Sequence, residues 1–242
     1  MRMTEMVKHL LIINIIFFIG TYLVPNSFDL MALHYFENDQ FRFWQPLTHM
    51  FMHGGIAHIL FNMFALVSFG SSLEHLWGGK KFLFFYFSCG IGSYLLSTLV
   101  DYSFVHYGLN VLMNNGFDKI EIFQSLNSDS YNSNWTEYLS IDAINRMHSS
   151  FITVSVGASG AIYGLLVAFA YLYPNAELAL MFIPVPIKAK YFVPIIIIGF
   201  DVCYGVIGGF LGMTYTGIAH FAHLGGALTG LIMVWYWKKK SI

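Results

Sequence analysis

Ser159 stands in the run Val156-Gly157-Ala158-Ser159-Gly160-Ala161-Ile162-Tyr163-Gly164, a hydroxyl among small residues in an uncharged apolar stretch that continues to Tyr173. Glycine and alanine beside it let backbone approach the hydroxyl closely. The same residues, with Gly160 and Gly164 at small-xxx-small spacing, also suit two helices packed tightly in a membrane. The other polar residues of the chain separate these two uses. His223 lies in Ala222-His223-Leu224-Gly225-Gly226, and His58 and Asn62, four apart, share one face of a helix. A serine, an imidazole base and two side-chain donors are, once brought together, the parts for acyl transfer: nucleophile, proton acceptor and oxyanion stabilisers.

The elements that must position them are membrane helices. Of 242 residues 57% are hydrophobic and only 10% charged, against roughly 25% charged in an ordinary soluble domain. Apolar runs fall near 9–24, 49–73, 82–106, 151–173, 191–213 and 217–237, each close to the ~20 residues that a bilayer core requires. The first could be a signal peptide, but no small-x-small cleavage site follows it, and Val24-Pro25-Asn26-Ser27 reads as a helix end. The expectation is an all-α integral membrane protein, a single domain over 1–242 with six spans. Cys89 and Cys203 both fall in apolar runs and read as small buried hydrophobes rather than a disulfide. A net charge of −1 gives no footing for nucleic acid.

Charge placement orients the bundle. With the N-terminus in the cytoplasm, the inner segments hold nine of the twelve Lys and Arg residues, and the outer ones hold only Arg42, Lys119 and Arg146. Both termini are then cytoplasmic, with outer loops near 25–48 and 107–150. The first loop, with Phe41-Arg42-Phe43-Trp44, is aromatic enough to lie partly in the interface. The second is polar, with a short helix expected near Thr136 to Met147.

In this topology the fourth and sixth spans run inward, and Ser159 and His223 both fall roughly 9–12 Å below the outer surface at ~1.5 Å per residue. They can meet. His49, His53, His58 and Asn62 share that half of the second span. Asp201 falls roughly 18 Å down by the same count, too deep to orient His223, and reads as a buried acid that serves packing. Tyr163, one turn from Ser159, can pack its ring against the imidazole.

These residues resemble the rhomboid intramembrane serine proteases over about residues 40–237. Gly157-Ala158-Ser159-Gly160 is similar to the family's Gly-x-Ser-Gly nucleophile motif, with Tyr163 at the position of its histidine-stacking tyrosine. Ala222-His223 with Gly225, Gly226 and Gly230 resembles the Ala-His motif of the last span, and His58 to Asn62 the His-x-x-x-Asn element that lines the oxyanion hole. The family often has Trp-Arg in the first loop. Here Trp44 is followed by Gln45, which puts that loop's hydrogen bonding in question.

The resemblance implies an intramembrane serine endopeptidase in which His223 deprotonates Ser159, with an oxyanion held by the Ser159 backbone N–H, His58 and Asn62 beside Gly157. It implies no metal and no cofactor. Its partners would be the bilayer and transmembrane protein substrates, cut near their outer end. The turn Phe210-Leu211-Gly212-Met213 would act as a lateral gate or cap, and His220 would line the cavity. The absence of a cytoplasmic domain points to a bacterial inner membrane. Two other readings stand beside it. One is a catalytically silent relative that binds membrane clients. The other is a metal transporter using His49, His53, His58, His220 and His223, against which the inner half of the bundle offers no matching ligands and no His-Glu-x-x-His pair is present.

Overall fold

The computed structural model describes residues 2–180, 183–207 and 220–240. Helix α1 (Glu5–Leu23) is followed by the short helices α2 (Ser27–Met31) and α3 (Gln45–Thr48) and by a single 3-10 turn, His49–Phe51. Gly54 and Gly55 then break the chain before α4 (Ile56–Ala65), which passes through a widened turn, Leu66–Gly70, into α5 (Ser71–Trp77). The expected span near 49–73 therefore begins later, because the paired glycines disfavour helix.

Among the described residues, three stretches are long and apolar enough to cross a membrane: Glu5–Leu23, Ile56–Trp77 and Gly79–Asn114. The last, α6 (Gly79–Asn114), has 36 residues and holds no proline. At ~1.5 Å per residue it is about 54 Å long, well beyond the ~30 Å of a hydrocarbon core. The span expected near 82–106 is thus only its middle. The projecting end organises the segment expected as the loop 107–150, which is largely helical. Helix α7 (Lys119–Asn127) starts where Asp118 Oδ1 accepts the Ile120 N–H at 2.8 Å, and α8 (Ile141–Ile152) where Ser140 Oγ accepts the Ala143 N–H at 3.2 Å. Both pack on α6 around a separate small core of Leu109, Leu112, Leu126, Trp135, Met147 and Phe151. The short helix expected near 136–147 thus lies a few residues later.

Residues 153–158 are not helical, with Thr153 extended and Ala158 already turning into the next helix. Leu33 and Ser155 form an isolated bridge with backbone hydrogen bonds of 3.0 and 2.9 Å. Helix α9 (Ser159–Leu172) follows, so the run expected as one span near 151–173 is divided. The fold is not purely α either. Strands β1 (Glu177–Leu180) and β2 (Ile183–Lys188) pair antiparallel, Glu177 opposite Lys188 and Leu178 opposite Ile187. Pro184 and Pro186 exclude helix there, and the β-branched residues beside them suit a strand. Helix α10 (Ala189–Pro194) continues as a wide, π-type helix over Ile195–Ile207, and α11 (His220–Lys240) closes the chain. Cys203, expected to be buried, is exposed, whereas Cys89 is buried. The expected gate, 210–213, lies outside the described residues.

Helix α11 packs on both α6 and α9, and glycine makes the approach possible. A Cβ built on Gly226 would collide with the Gly160 carbonyl, and one on Gly230 would lie 2.7 Å from the Gly164 Cα. The small residues around Ser159 therefore serve tight packing as well. Backbone contact at this range fixes α9 against α11, and with it the serine against the histidine.

Candidate functional site

Ser159 is the first residue of α9, with its backbone N–H among the unpaired donors of a helix N-terminus. The preceding turn depends on Gly157, whose φ of 118° few side-chain-bearing residues adopt. The Gly157 N–H donates to the His49 carbonyl at 2.9 Å. That bond ties the serine turn to the 3-10 turn ahead of α4.

His223, on the first turn of α11, brings its Nε2 to 3.1 Å from Ser159 Oγ. Tyr163 lies parallel to the imidazole, with ring centroids 4.1 Å apart and planes 10° from parallel. On the other edge of the ring, His223 Nδ1 is 2.9 Å from Asp201 Oδ1, and His220 Nδ1 is 2.8 Å from the same oxygen. A carboxylate can only accept, so both Nδ1 atoms donate. His223 is thereby held as the tautomer with its Nε2 lone pair toward the serine.

Asp201 corrects the depth count. It was expected too far down to reach His223, yet it is fully buried and bonded to it. Counting ~1.5 Å per residue presumes a regular α-helix up to a known end, and Asp201 sits in the wide helix. The signal that could have found it was an acid within an apolar span, itself a mark of function. His220 is likewise more than a cavity-lining residue.

His58 and Asn62 converge from α4. A Cβ added to Gly157 would lie 2.7 Å from His58 Nε2 and 3.7 Å from Asn62 Nδ2. The Gly54 N–H donates to His58 Nδ1 at 3.4 Å, which leaves a proton on Nε2, on the side facing Gly157. Asn62 Nδ2 is buried and has no hydrogen-bond partner among the described residues. Two side-chain donors thus lie beside the serine turn, and that of Asn62 has no acceptor among the described residues. His53 touches the His58 ring edge-on, with centroids 5.0 Å apart.

Gln45 answers the question raised by its type. It is fully buried, and its Oε1 accepts the backbone N–H groups of Arg42 at 3.1 Å and His34 at 3.3 Å. Its Nε2 donates to the Gln40 carbonyl at 3.1 Å and the Asp29 carbonyl at 3.3 Å. A neutral amide can make these bonds without burying a charge.

Among the described residues, Asp201, His220 and His223 are a set that could hold a metal, their ligand atoms lying within 4.8 Å of one another. His49, His53 and His58 do not join it.

A family profile for the Rhomboid domain matches residues 40–115 and 124–240. The chain belongs to the rhomboid family. Its rhomboid relatives include the mitochondrial rhomboid protein 1 of Saccharomyces cerevisiae, 28% identical over 191 residues that make up 78% of this chain and 40% of that protein. Rhomboid-like protease 3 of Toxoplasma gondii is 26% identical over 222 residues, 89% of this chain and 61% of the relative. Rhomboid protease GluP of Bacillus subtilis is 39% identical over 69 residues, 27% of this chain and 14% of the relative. The rhomboid domain here thus spans less than two thirds of each of these relatives. Together with the apolar helices, family membership makes this a membrane protein.

Proposed function

We propose that this rhomboid protein is an intramembrane serine endopeptidase that cuts transmembrane segments of other membrane proteins near their outer end. Ser159 is the nucleophile, His223 the general base, and the Ser159 N–H with His58 and Asn62 the oxyanion hole. The observation that carries the reading is the 3.1 Å approach of His223 Nε2 to Ser159 Oγ, in the tautomer that can accept the serine proton. The unpaired donor of Asn62 beside it is what an oxyanion would use. We read the chain as one domain with six spans, both termini in the cytoplasm, in the plasma membrane of a bacterium; the lysine placement supports the orientation. Peptide hydrolysis needs water, so the polar faces of α4, α9 and α11 enclose a wet cavity.

The test is cleavage of a single-span reporter in proteoliposomes, with product masses mapped, for the intact protein and for Ser159→Ala. A product made only by the intact protein and ending near the reporter's outer boundary is expected. Equal cleavage by Ser159→Ala overturns the assignment. No cleavage, with no labelling of Ser159 by a fluorophosphonate, instead favours a silent client-binding protein.

A further inference from the structure

We propose that Asp201 positions His223, so that Ser159, His223 and Asp201 act as a serine-histidine-aspartate triad whose aspartate is anchored by His220. The inference rests on the protease reading above. Stacking on Tyr163 fixes the plane of the imidazole but leaves the ring able to turn within that plane. The bond from His223 Nδ1 to Asp201 Oδ1, 2.9 Å, removes that freedom and aims Nε2 at Ser159 Oγ, 3.1 Å away on the opposite edge. Asp201 reaches in from a different segment, so its own placement must be secured. His220, one turn before His223, supplies a second donor to the same oxygen at 2.8 Å. A fully buried carboxylate needs such partners, and both of these sit on α11.

The chemistry balances without a further reactant. The Ser159 O–H bond breaks and its proton moves to His223 Nε2 as Oγ bonds to the peptide carbonyl carbon, whose π pair becomes the oxyanion. The imidazolium then gives that proton to the departing amine nitrogen as the C–N bond breaks. Water repeats the sequence on the acyl-enzyme, releasing the new carboxyl end and the serine. Asp201 stays ionised throughout and accepts from Nδ1–H, favouring the imidazolium formed in each half. A metal between the three side chains is the rival use of this cluster. It would need ligand atoms spread around an ion at ~2.0–2.2 Å each, whereas both nitrogens meet one oxygen at hydrogen-bond distance.

The experiment compares the full chain, Ser159→Ala, Asp201→Asn and His220→Gln in proteoliposomes, separating kcat from KM and recording fluorophosphonate labelling rates and Tm. Asp201→Asn is nearly isosteric, but it removes the charge and puts an NH2 donor in place of one acceptor oxygen. It is expected to lower kcat and labelling by about 10²–10⁴-fold with KM within about twofold and Tm little changed. His220→Gln is expected to lose about 3- to 30-fold in kcat, less than Asp201→Asn. Asp201→Asn within about threefold of the parent kcat overturns the proposal, as does a loss that follows a fall in Tm. So does stoichiometric zinc in the purified parent that disappears in Asp201→Asn. If Asp201→Asn does not fold, a strongly deshielded Nδ1 proton of His223 in the parent supports the bond, and an ordinary shift overturns it. Cleavage by Ser159→Ala would defeat the protease reading itself. A dead Ser159→Ala beside a fully active Asp201→Asn defeats only the role of Asp201.

Discussion

Tyr163 covers one face of the His223 imidazole at 4.1 Å, four residues after the serine that the same imidazole meets at 3.1 Å. One helix, α9, thus carries both the partner and the brace of the histidine. The stacking comes from the ring, so Tyr163→Phe, which loses only the interaction of the hydroxyl with the Asp201 carboxylate, should keep kcat within about threefold of the parent. Tyr163→Ala removes an aromatic contact worth about 0.5–1.5 kcal/mol and frees the imidazole to tilt. A kcat loss of about 10- to 100-fold is expected, the larger part from misplacement of the base. Reporter cleavage in proteoliposomes measures both, and an equal loss in the two variants would shift the role from the ring to the hydroxyl.

His58 and Asn62 present donors beside Gly157, and the Asn62 donor has no acceptor among the described residues. If an oxyanion forms there, His58→Ala and Asn62→Ala should each cost about 2.7–4 kcal/mol of transition-state stabilisation, a fall of 10²–10³-fold in kcat. KM should change little, because the ground-state carbonyl does not carry the charge. Steady-state kinetics on the reporter separates the two constants. A rise in KM at constant kcat would make these residues substrate binders instead.

Gly157 is constrained twice. Its φ is 118°, and an added Cβ would come within 2.7 Å of His58 Nε2. Gly157→Ala therefore strains the turn that presents Ser159 and displaces the His58 side chain, a strain of roughly 1–3 kcal/mol. Labelling of Ser159 by a fluorophosphonate should slow at least as much as reporter cleavage. Membrane insertion, judged by protease protection of the termini, should be unaltered. Unchanged labelling would remove the turn from the chemistry.

How far these elements could be read from the chain depended on what each residue answers to. The motifs around Ser159 and His223 were legible only in combination: small residues beside a hydroxyl equally suit tight helix packing, and the serine, histidine and His58–Asn62 elements together single out the site. Helix ends were less so: the apolar run through Phe151 and Ile152 does not reveal that the chain straightens at Thr153 before α9 begins at Ser159. The extension of α6 to Asn114 is invisible to hydropathy, since its projecting end is stabilised by a separate core that includes Trp135 and Phe151. Asp201 escapes a depth argument because the rise of an ideal α-helix does not describe the wide helix in which it sits. Gln45 shows the opposite case, a departure from the family's usual residue whose work in the loop needed only an amide.

The loop that Gln45 pins should give the protein an acid-sensitive point. His34, just outside the first helix and nearly buried, has its imidazole held below its ordinary range by burial, against smaller opposing effects of the Asp29 carbonyl and carboxylate. A lowered folded pKa means that the unfolded chain binds the proton more readily, so stability falls as pH drops through the unfolded value near 6.5. Tm should therefore be lower at about pH 5.5 than at about pH 7.5, and His34→Gln should narrow that difference. Thermal unfolding in detergent at the two values measures it. An unchanged difference in the variant would assign the acid sensitivity to other groups.

Glu74 joins the start of α1 to the middle of α5. Its carboxylate accepts the backbone N–H groups of Met6 and Val7, each at 2.9 Å, and the Thr4 hydroxyl. Thr4 makes no side-chain cap of its own, so Glu74 satisfies from another helix two of the donors that α1 leaves open. Its negative charge also meets the positive end of the α1 dipole. Glu74→Ala leaves those amides without a partner in a buried place, at a cost of about 2–4 kcal/mol, and Glu74→Gln should cost less because one acceptor remains. The effect should be on stability alone, since Glu74 lies sixteen residues beyond His58 along the same run of helix. Tm should fall in the order parent, Glu74→Gln, Glu74→Ala, while kcat well below the lowest Tm stays constant. A parental Tm for Glu74→Ala would mean that α1 is held by its apolar face, Val7 and Leu10 foremost, and not by its cap.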